Sequence, residues 1–434
     1  VTRATLIRGA RLLDPGQKLD RPGNLLIQDG KIAALEGAIP VAPDWEVVDG
    51  TDLCLAPGLI DLRVHLREPG DEHVESLEVL AEAAAAGGVT TLAGLPGTEP
   101  RVENPALILH LRRRFESIGK ARLLPWGAIT HHASAAGASK GGMCEMGLML
   151  EAGAIGFTDA PIALADAGVM RRAMSYARAF DALIHNHPLD PGLAGAGVAT
   201  EGEMATRMGL PGMPPMAELL MVERDLRLAE LTGGRLHLGP LTTAASIDAV
   251  RQAKRRGLAV TADTAPAYFA LNELAIGDYR TDAKVSPPLR SEADRLAVVA
   301  GLADGTIDAI ASDHAPQDRD GKRLPYATAA TGMIGIETLL PLSLSLAQTG
   351  ALSLPDLLSK LTSGPARILK RPLGSLAVGA PADLLLFDPN RAGRIDARAM
   401  RSTMRNTPFD RRPIEGRVVG CWFEGRRVFS AGTA

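Results

Sequence analysis

Only three cysteines, Cys54, Cys144 and Cys421, occur in the 434 residues, far apart and odd in number. Such usage excludes a disulfide framework and suits a reducing compartment. No apolar run reaches the roughly 18 residues that a bilayer-spanning helix requires. Neither sign of charge dominates: the formal net charge is −3. There is no basic stripe for nucleic acid and no acidic tail. The chain opens Val-Thr-Arg, with no apolar core and cleavage site behind it, so a cytoplasmic protein is expected. A glycine-rich nucleotide fingerprint after the first strand is also missing, which counts against a doubly wound open sheet.

What is present is ordinary globular material, 46% hydrophobic and 22% charged, long enough for one large barrel and a smaller module. The first 55 residues read as short strands and turns, with Asp29-Gly30 between apolar runs as a hairpin signal. The C-terminal segment reads alike, with Glu424-Gly425 as a turn. Residues 1–55 and 366–434 are therefore expected to form one β-sandwich module from both chain ends. Between them, over 56–365, short apolar runs such as Thr90–Leu95, Ala182–His185 and Ile307–Ala311 alternate with longer helical stretches. That alternation predicts an α/β fold, a (β/α)8 TIM-type barrel whose chemistry sits at the C-terminal ends of its strands.

Nine histidines occur, and four of them, His65, His185, His237 and His314, stand at or just after an expected strand. Asp159 and Asp313 stand at such positions too. A lone histidine on a loop reads as a satisfied polar group. Imidazoles and carboxylates converging on one barrel mouth have the donor types that zinc prefers, and a zinc-bound water is acidic enough to attack an amide.

Two segments carry a specific resemblance. Pro57-Gly58-Leu59-Ile60-Asp61-Leu62-Arg63-Val64-His65-Leu66-Arg67-Glu68-Pro69-Gly70 resembles the first-strand motif of class I dihydroorotases, in the amidohydrolase superfamily, and Ala311-Ser312-Asp313-His314-Ala315-Pro316 resembles their last-strand motif. Gly87–Thr91, Phe157–Asp159, Pro287–Arg290, Asn406–Phe409 and Gly379–Leu384 support it in the same order along almost the whole chain. The resemblance implies a cyclic amidohydrolase of pyrimidine biosynthesis, opening dihydroorotate reversibly to carbamoyl aspartate. It implies His65, Asp159, His185 and Asp313 as metal ligands, with Asp313 also the catalytic general base. Arg67 would pair with the substrate carboxylate.

The same alignment of motifs exposes departures. The family's first strand ends His-x-His, whereas this chain reads Arg63-Val64-His65, and a further family ligand falls at Pro240. Substrate-contacting positions of the family fall at Gly97, Ser286 and Gln317, with Gly332 on a loop that would also reach substrate. With two ligand positions lost, the site is expected to hold a single zinc or none, and not a pair. The erosion leads to the expectation of a degenerate, non-catalytic member, a partner subunit of aspartate carbamoyltransferase within an oligomer. A pyrimidine-pathway metabolite is a further expected ligand. The alternative is a working dihydroorotase with one zinc.

Overall fold

In the computed structural model, residues 4–131 and 142–432 are described. Five strands come first: β1 (Thr5–Asp14), β2 (Leu19–Gln28), β3 (Lys31–Glu36), β4 (Glu46–Asp49) and β5 (Cys54–Pro57). Seven barrel strands follow, β6 (Leu59–His65), β7 (Val89–Leu95), β8 (Arg122–Pro125), β9 (Leu183–Asn186), β10 (Arg235–Leu238), β11 (Val260–Thr264) and β12 (Ala309–Ile310), apart from a two-residue pair, Ala199–Thr200 with Gly212–Met213. The chain ends with β13 (Leu384–Arg394), β14 (Pro413–Phe423) and β15 (Arg426–Ser430).

Strands from both chain ends share one eight-stranded sheet in the order β15-β14-β13-β5-β1-β2-β3, with β4 beside β1. Its hairpins follow from local sequence. Asp29 and Gly30 both take positive φ, 51° and 77°, as a two-residue turn between paired Gln28 and Lys31 demands. Glu424 and Gly425 do the same at the other end, and the two turns touch. A Cβ on Gly425 would lie 2.7 Å from Gly30 Cα, so the contact requires glycine there.

The middle strands run parallel: β6-β7-β8 in one ladder and β9-β10-β11-β12 in another. Single parallel bridges join them into a ring, Gly127 to Phe157, Phe157 to Ile184, and Val64 to His314. Phe157 thus marks an eighth stave, and the barrel closes. Helices cover the outside with a stripe at helical spacing. On Ala167–Arg178, capped by Asp166, the buried residues are Met170, Ala173, Met174 and Ala177. Arg122 of β8 donates to Asp383 at 2.7 Å, tying the barrel to the terminal sheet. Among the described residues, no helix is long and apolar enough to cross a membrane.

Arg63 and His65, two residues apart on β6, face the inside of the barrel, after a bulge between Asp61 and Val64 that shifts the register from Asp61 opposite Leu92 to His65 opposite Leu95. Asp61 fastens the closure: its Oδ1 accepts from the backbone N–H of Ser312 (3.0 Å) and of Arg63 (3.3 Å). Its Oδ2 is buried without a hydrogen-bond partner, and burial pushes the carboxyl up to about 6. Between the ordinary value near 4 and about 6 the folded protein holds a proton that the unfolded chain releases. Stability therefore falls as pH rises through that window and stays lower above it. Asp61→Asn keeps the acceptor oxygen and abolishes the titration. Denaturant midpoints should show the variant gaining on the wild type from pH 4 to pH 7; a difference independent of pH would contradict this account.

Candidate active site at the barrel mouth

The centre of the mouth is an ion-paired guanidinium. Arg63 is 1% exposed, and its Nε donates to Asp313 Oδ1 at 2.9 Å while Nη1 donates to Asp263 Oδ1 at 2.7 Å. Asp263 also meets His237 Nε2 at 3.0 Å, whose Nδ1 lies 2.8 Å from Thr261 Oγ1. The guanidinium holds the Asp313 carboxyl far below the usual carboxylate range despite burial, and holds Asp263 down as well. Gly239 makes room for this. A Cβ there would stand 2.5 Å from an Asp263 carboxylate oxygen. Asp313 itself sits at φ +53°, a left-handed conformation that a non-glycine residue keeps only when its surroundings hold it.

His65 lies beside this pair, Nε2 3.7 Å from Asp313 Oδ1. Burial pulls its pKa down, and Arg67 and Arg63 add to that, outweighing the pull of Asp313. His187 is also buried, lowered to about 4 by burial first and Arg63 next, and its Nε2 is 3.4 Å from Ser286 Oγ. Arg67 is half-buried, and its Nε is buried without a hydrogen-bond partner; Arg63 Nη2 is likewise unpartnered.

The expected metal ligands do not assemble. Both oxygens of Asp159 are already taken: Oδ1 accepts from Arg101 Nη2 (2.8 Å), Ile129 N (3.0 Å) and Thr130 N (3.1 Å), and Oδ2 accepts from Thr130 Oγ1 (2.7 Å). His185 lies inside the barrel, Nε2 3.3 Å from the Gly239 carbonyl and its ring 5.3 Å from that of Trp126 and 5.4 Å from that of His237. Burial lowers it to about 3, and its Nδ1 has no partner. Arg63 stands where the family's first ligand would be, and Pro240 offers no donor atom. Among the described residues, one group of three, Glu103, His131 and Cys144, brings its ligand atoms within 4.8 Å of one another, and it is not at these positions. Both expected ligand carboxylates are paired with arginine, Asp313 with Arg63 and Asp159 with Arg101.

The expected substrate positions are dispersed. Gly97 is exposed, with open space except for Pro161 3.6 Å from where a Cβ would be. Gln317 Nε2 donates to the Thr331 carbonyl at 2.7 Å, holding the loop that carries Gly332. Gly332 N donates to the Lys284 carbonyl (2.9 Å), and its own carbonyl accepts from Asn406 (3.1 Å). Ser286 pairs with His187, and so faces the mouth. His314 is structural: its Nδ1 accepts from Gly335 N (3.1 Å), which leaves Nε2 to donate to Glu75 at 2.8 Å. Sequence reasoning missed Asp263 and Arg101. The signal for Asp263 was available, since a buried guanidinium has five N–H donors to satisfy, more than one carboxylate can take.

A family model described as dihydro-orotase-like matches residues 53–246. The dihydroorotase of Syntrophotalea carbinolica is 43% identical over 98% of this chain and 98% of its own length. That of Desulforapulum autotrophicum is 43% identical, covering 97% and 98%. The chain belongs to the dihydroorotase family. Among solved structures, L-hydantoinase (dihydropyrimidinase) from Arthrobacter aurescens superposes with a TM-score of 0.88 at 24% identity, covering 100% of this chain and 97% of that one. Dihydropyrimidinase from Brevibacillus agri gives 0.81 at 20%, covering 98% and 94%. These share the fold, a TIM barrel with a β-sandwich. The family is metal dependent.

These relatives overturn the expectation of a non-catalytic partner of aspartate carbamoyltransferase. The matches to dihydroorotases, 40–43% identical, span 97–98% of the chain. The physical reason for the error is that lost ligand positions were read as lost chemistry. The mouth instead keeps a strained Asp313 and buried, unpartnered N–H groups on Arg63 and Arg67, features that packing alone does not require.

Arg63→Met should destabilise the protein by about 3–5 kcal/mol, because it leaves two buried carboxylates without their cation. Urea unfolding measures this. Adding Asp263→Asn to that variant should recover part of the loss; a near-neutral single variant would show that the ion pairs are dispensable.

Proposed function

We propose that this dihydroorotase-family chain catalyses the reversible hydrolysis of dihydroorotate to carbamoyl aspartate. The observation that carries the reading is the cluster of Asp313, His65 and two arginines at the barrel mouth, in a chain aligned end to end with dihydroorotases. Both partners in the reaction are carboxylates. Arg67, with a buried Nε still to be satisfied, is the group to bind them, since a guanidinium fork matches a carboxylate.

In this reading water attacks the ring amide carbonyl, the C–N bond breaks, and the departing nitrogen takes a proton. Asp313 is the catalytic carboxylate. Tied to Arg63 it is a weak base, so the proton passes through His65, whose imidazole is the adjacent neutral acceptor. Asp313 then stabilises the imidazolium. Ser286 meets His187 on one side, and Gln317 holds the separate loop that carries Gly332. Gly97 leaves space rather than a contact. In this reading the mouth would hold at most one zinc. His65 and Asp313 alone do not make a site for it as they stand, so no step is assigned to a metal.

Turnover of dihydroorotate and of carbamoyl aspartate by the purified chain tests the proposal. Asp313→Asn should lower kcat by roughly 100-fold or more. Arg67→Ala should act chiefly through KM, by on the order of 10-fold or more, as loss of a charge-assisted contact to the ground state does. Absence of wild-type turnover in both directions, with and without added zinc, would defeat the reading.

A further inference from the structure

We propose that Glu103, His131 and Cys144 form a zinc-type metal site, separate from the barrel mouth. The three donors differ in kind, a carboxylate oxygen, an imidazole nitrogen and a sulfur, which is the mixture a borderline-soft divalent ion prefers. Their spacing is the sharper argument. His131 Nδ1 is 3.6 Å from Cys144 Sγ and 3.5 Å from Glu103 Oε2. Bonds of about 2.0–2.3 Å to a tetrahedral zinc place neighbouring ligand atoms about 3.3–3.8 Å apart. The two distances are thus edges of a zinc-sized tetrahedron, with a fourth corner left for water or another ligand.

Backbone pairing holds the donors in place. Thr130 and Met143 form an antiparallel bridge, His131 N donates to the Gly142 carbonyl at 3.1 Å, and Cys144 N donates to the Ile129 carbonyl at 2.9 Å. Glu103 comes from another segment, just before the helix Pro105–Ile118, and that segment is pinned where Ala128 N donates to the Val102 carbonyl at 2.8 Å. Cys144 is buried, while the side chains of His131 and Glu103 are 34% and 21% exposed, so an ion can enter from the solvent side. Among the described residues nearby, the Arg101 guanidinium is turned to Asp159, which Thr130 also holds. An ion here would lock the Ile129–His131 and Gly142–Cys144 arms to Glu103, and through Thr130 and Arg101 it would brace Asp159. None of this depends on the dihydroorotase reading. The competing account is a plain hydrogen-bonded Cys–His–Glu cluster without metal.

The test uses the full-length protein stripped with a chelator and reloaded with zinc or cobalt(II). Elemental analysis should find an ion that the wild type retains, and the cobalt form should show the near-ultraviolet thiolate-to-metal absorption that only sulfur ligation produces. Cys144→Ser should abolish that band. Cys144→Ser and His131→Ala should each weaken zinc binding by more than the roughly 100-fold that loss of an outer partner costs. His65→Ala should leave both band and affinity unchanged. Circular dichroism checks that the variants fold; His131, being partly exposed, is the milder change. The proposal is overturned if the cobalt form lacks the thiolate band, or if zinc survives both substitutions and is lost in His65→Ala. Dihydroorotate turnover is measured separately, so failure of the function reading leaves this result intact.

Discussion

A guanidinium sealed inside a barrel has to be neutralised where it sits, because arginine cannot shed its proton as a buried lysine can. Arg63 imposes that condition on the whole mouth. Asp263 and Asp313 face it from two other strand ends, and desolvation of three charges is offset only while the geometry stays tight. Gly239 is bare so that the Asp263 carboxylate has room, and His237 occupies the remaining face of that carboxylate. Asp313 is held in a left-handed conformation. All three surround the one cation that β6 carries into the barrel.

The same cation is one of the two departures in the family's ligand frame, the other being Pro240. Where a histidine would share a metal's positive charge among several ligands, Arg63 brings a permanent charge on a covalent tether. Asp159 follows a parallel course with Arg101. Beside Arg63 the Asp313 carboxylate is held in its ionised form, and burial lowers the pKa of the neighbouring His65 and His187 imidazoles. Arg63 Nη2 and Arg67 Nε are buried there without a hydrogen-bond partner.

Much of the scaffold was legible in the chain. The Asp29-Gly30 and Glu424-Gly425 turns, the short apolar runs and the capped amphipathic helices each depend on neighbours within a few residues, and local chemistry suffices to read them. The candidate site was legible in pieces. Arg67, Asp313 and His65 lie inside motifs, and their joint location follows from the barrel. Asp263 lies in no motif, and its role depends on a residue 200 positions away. Arg101 is equally invisible, since its partner Asp159 was already committed to a different expected role.

The amino-acid sequence by itself determined the barrel, the turns of the terminal sheet and the family, because periodicity, turn residues and contiguous motifs are all short-range signals. It also showed that Arg63 and Pro240 stand at ligand positions. Only the tertiary structure decided what those substitutions mean. Whether a buried charge is a defect or a working part depends on which opposite charges come within about 3 Å of it, and Coulomb energy at that range is set by folded geometry rather than by order along the chain. The same holds for Glu103, His131 and Cys144, three residues with no common motif that the fold brings within 4.8 Å of one another.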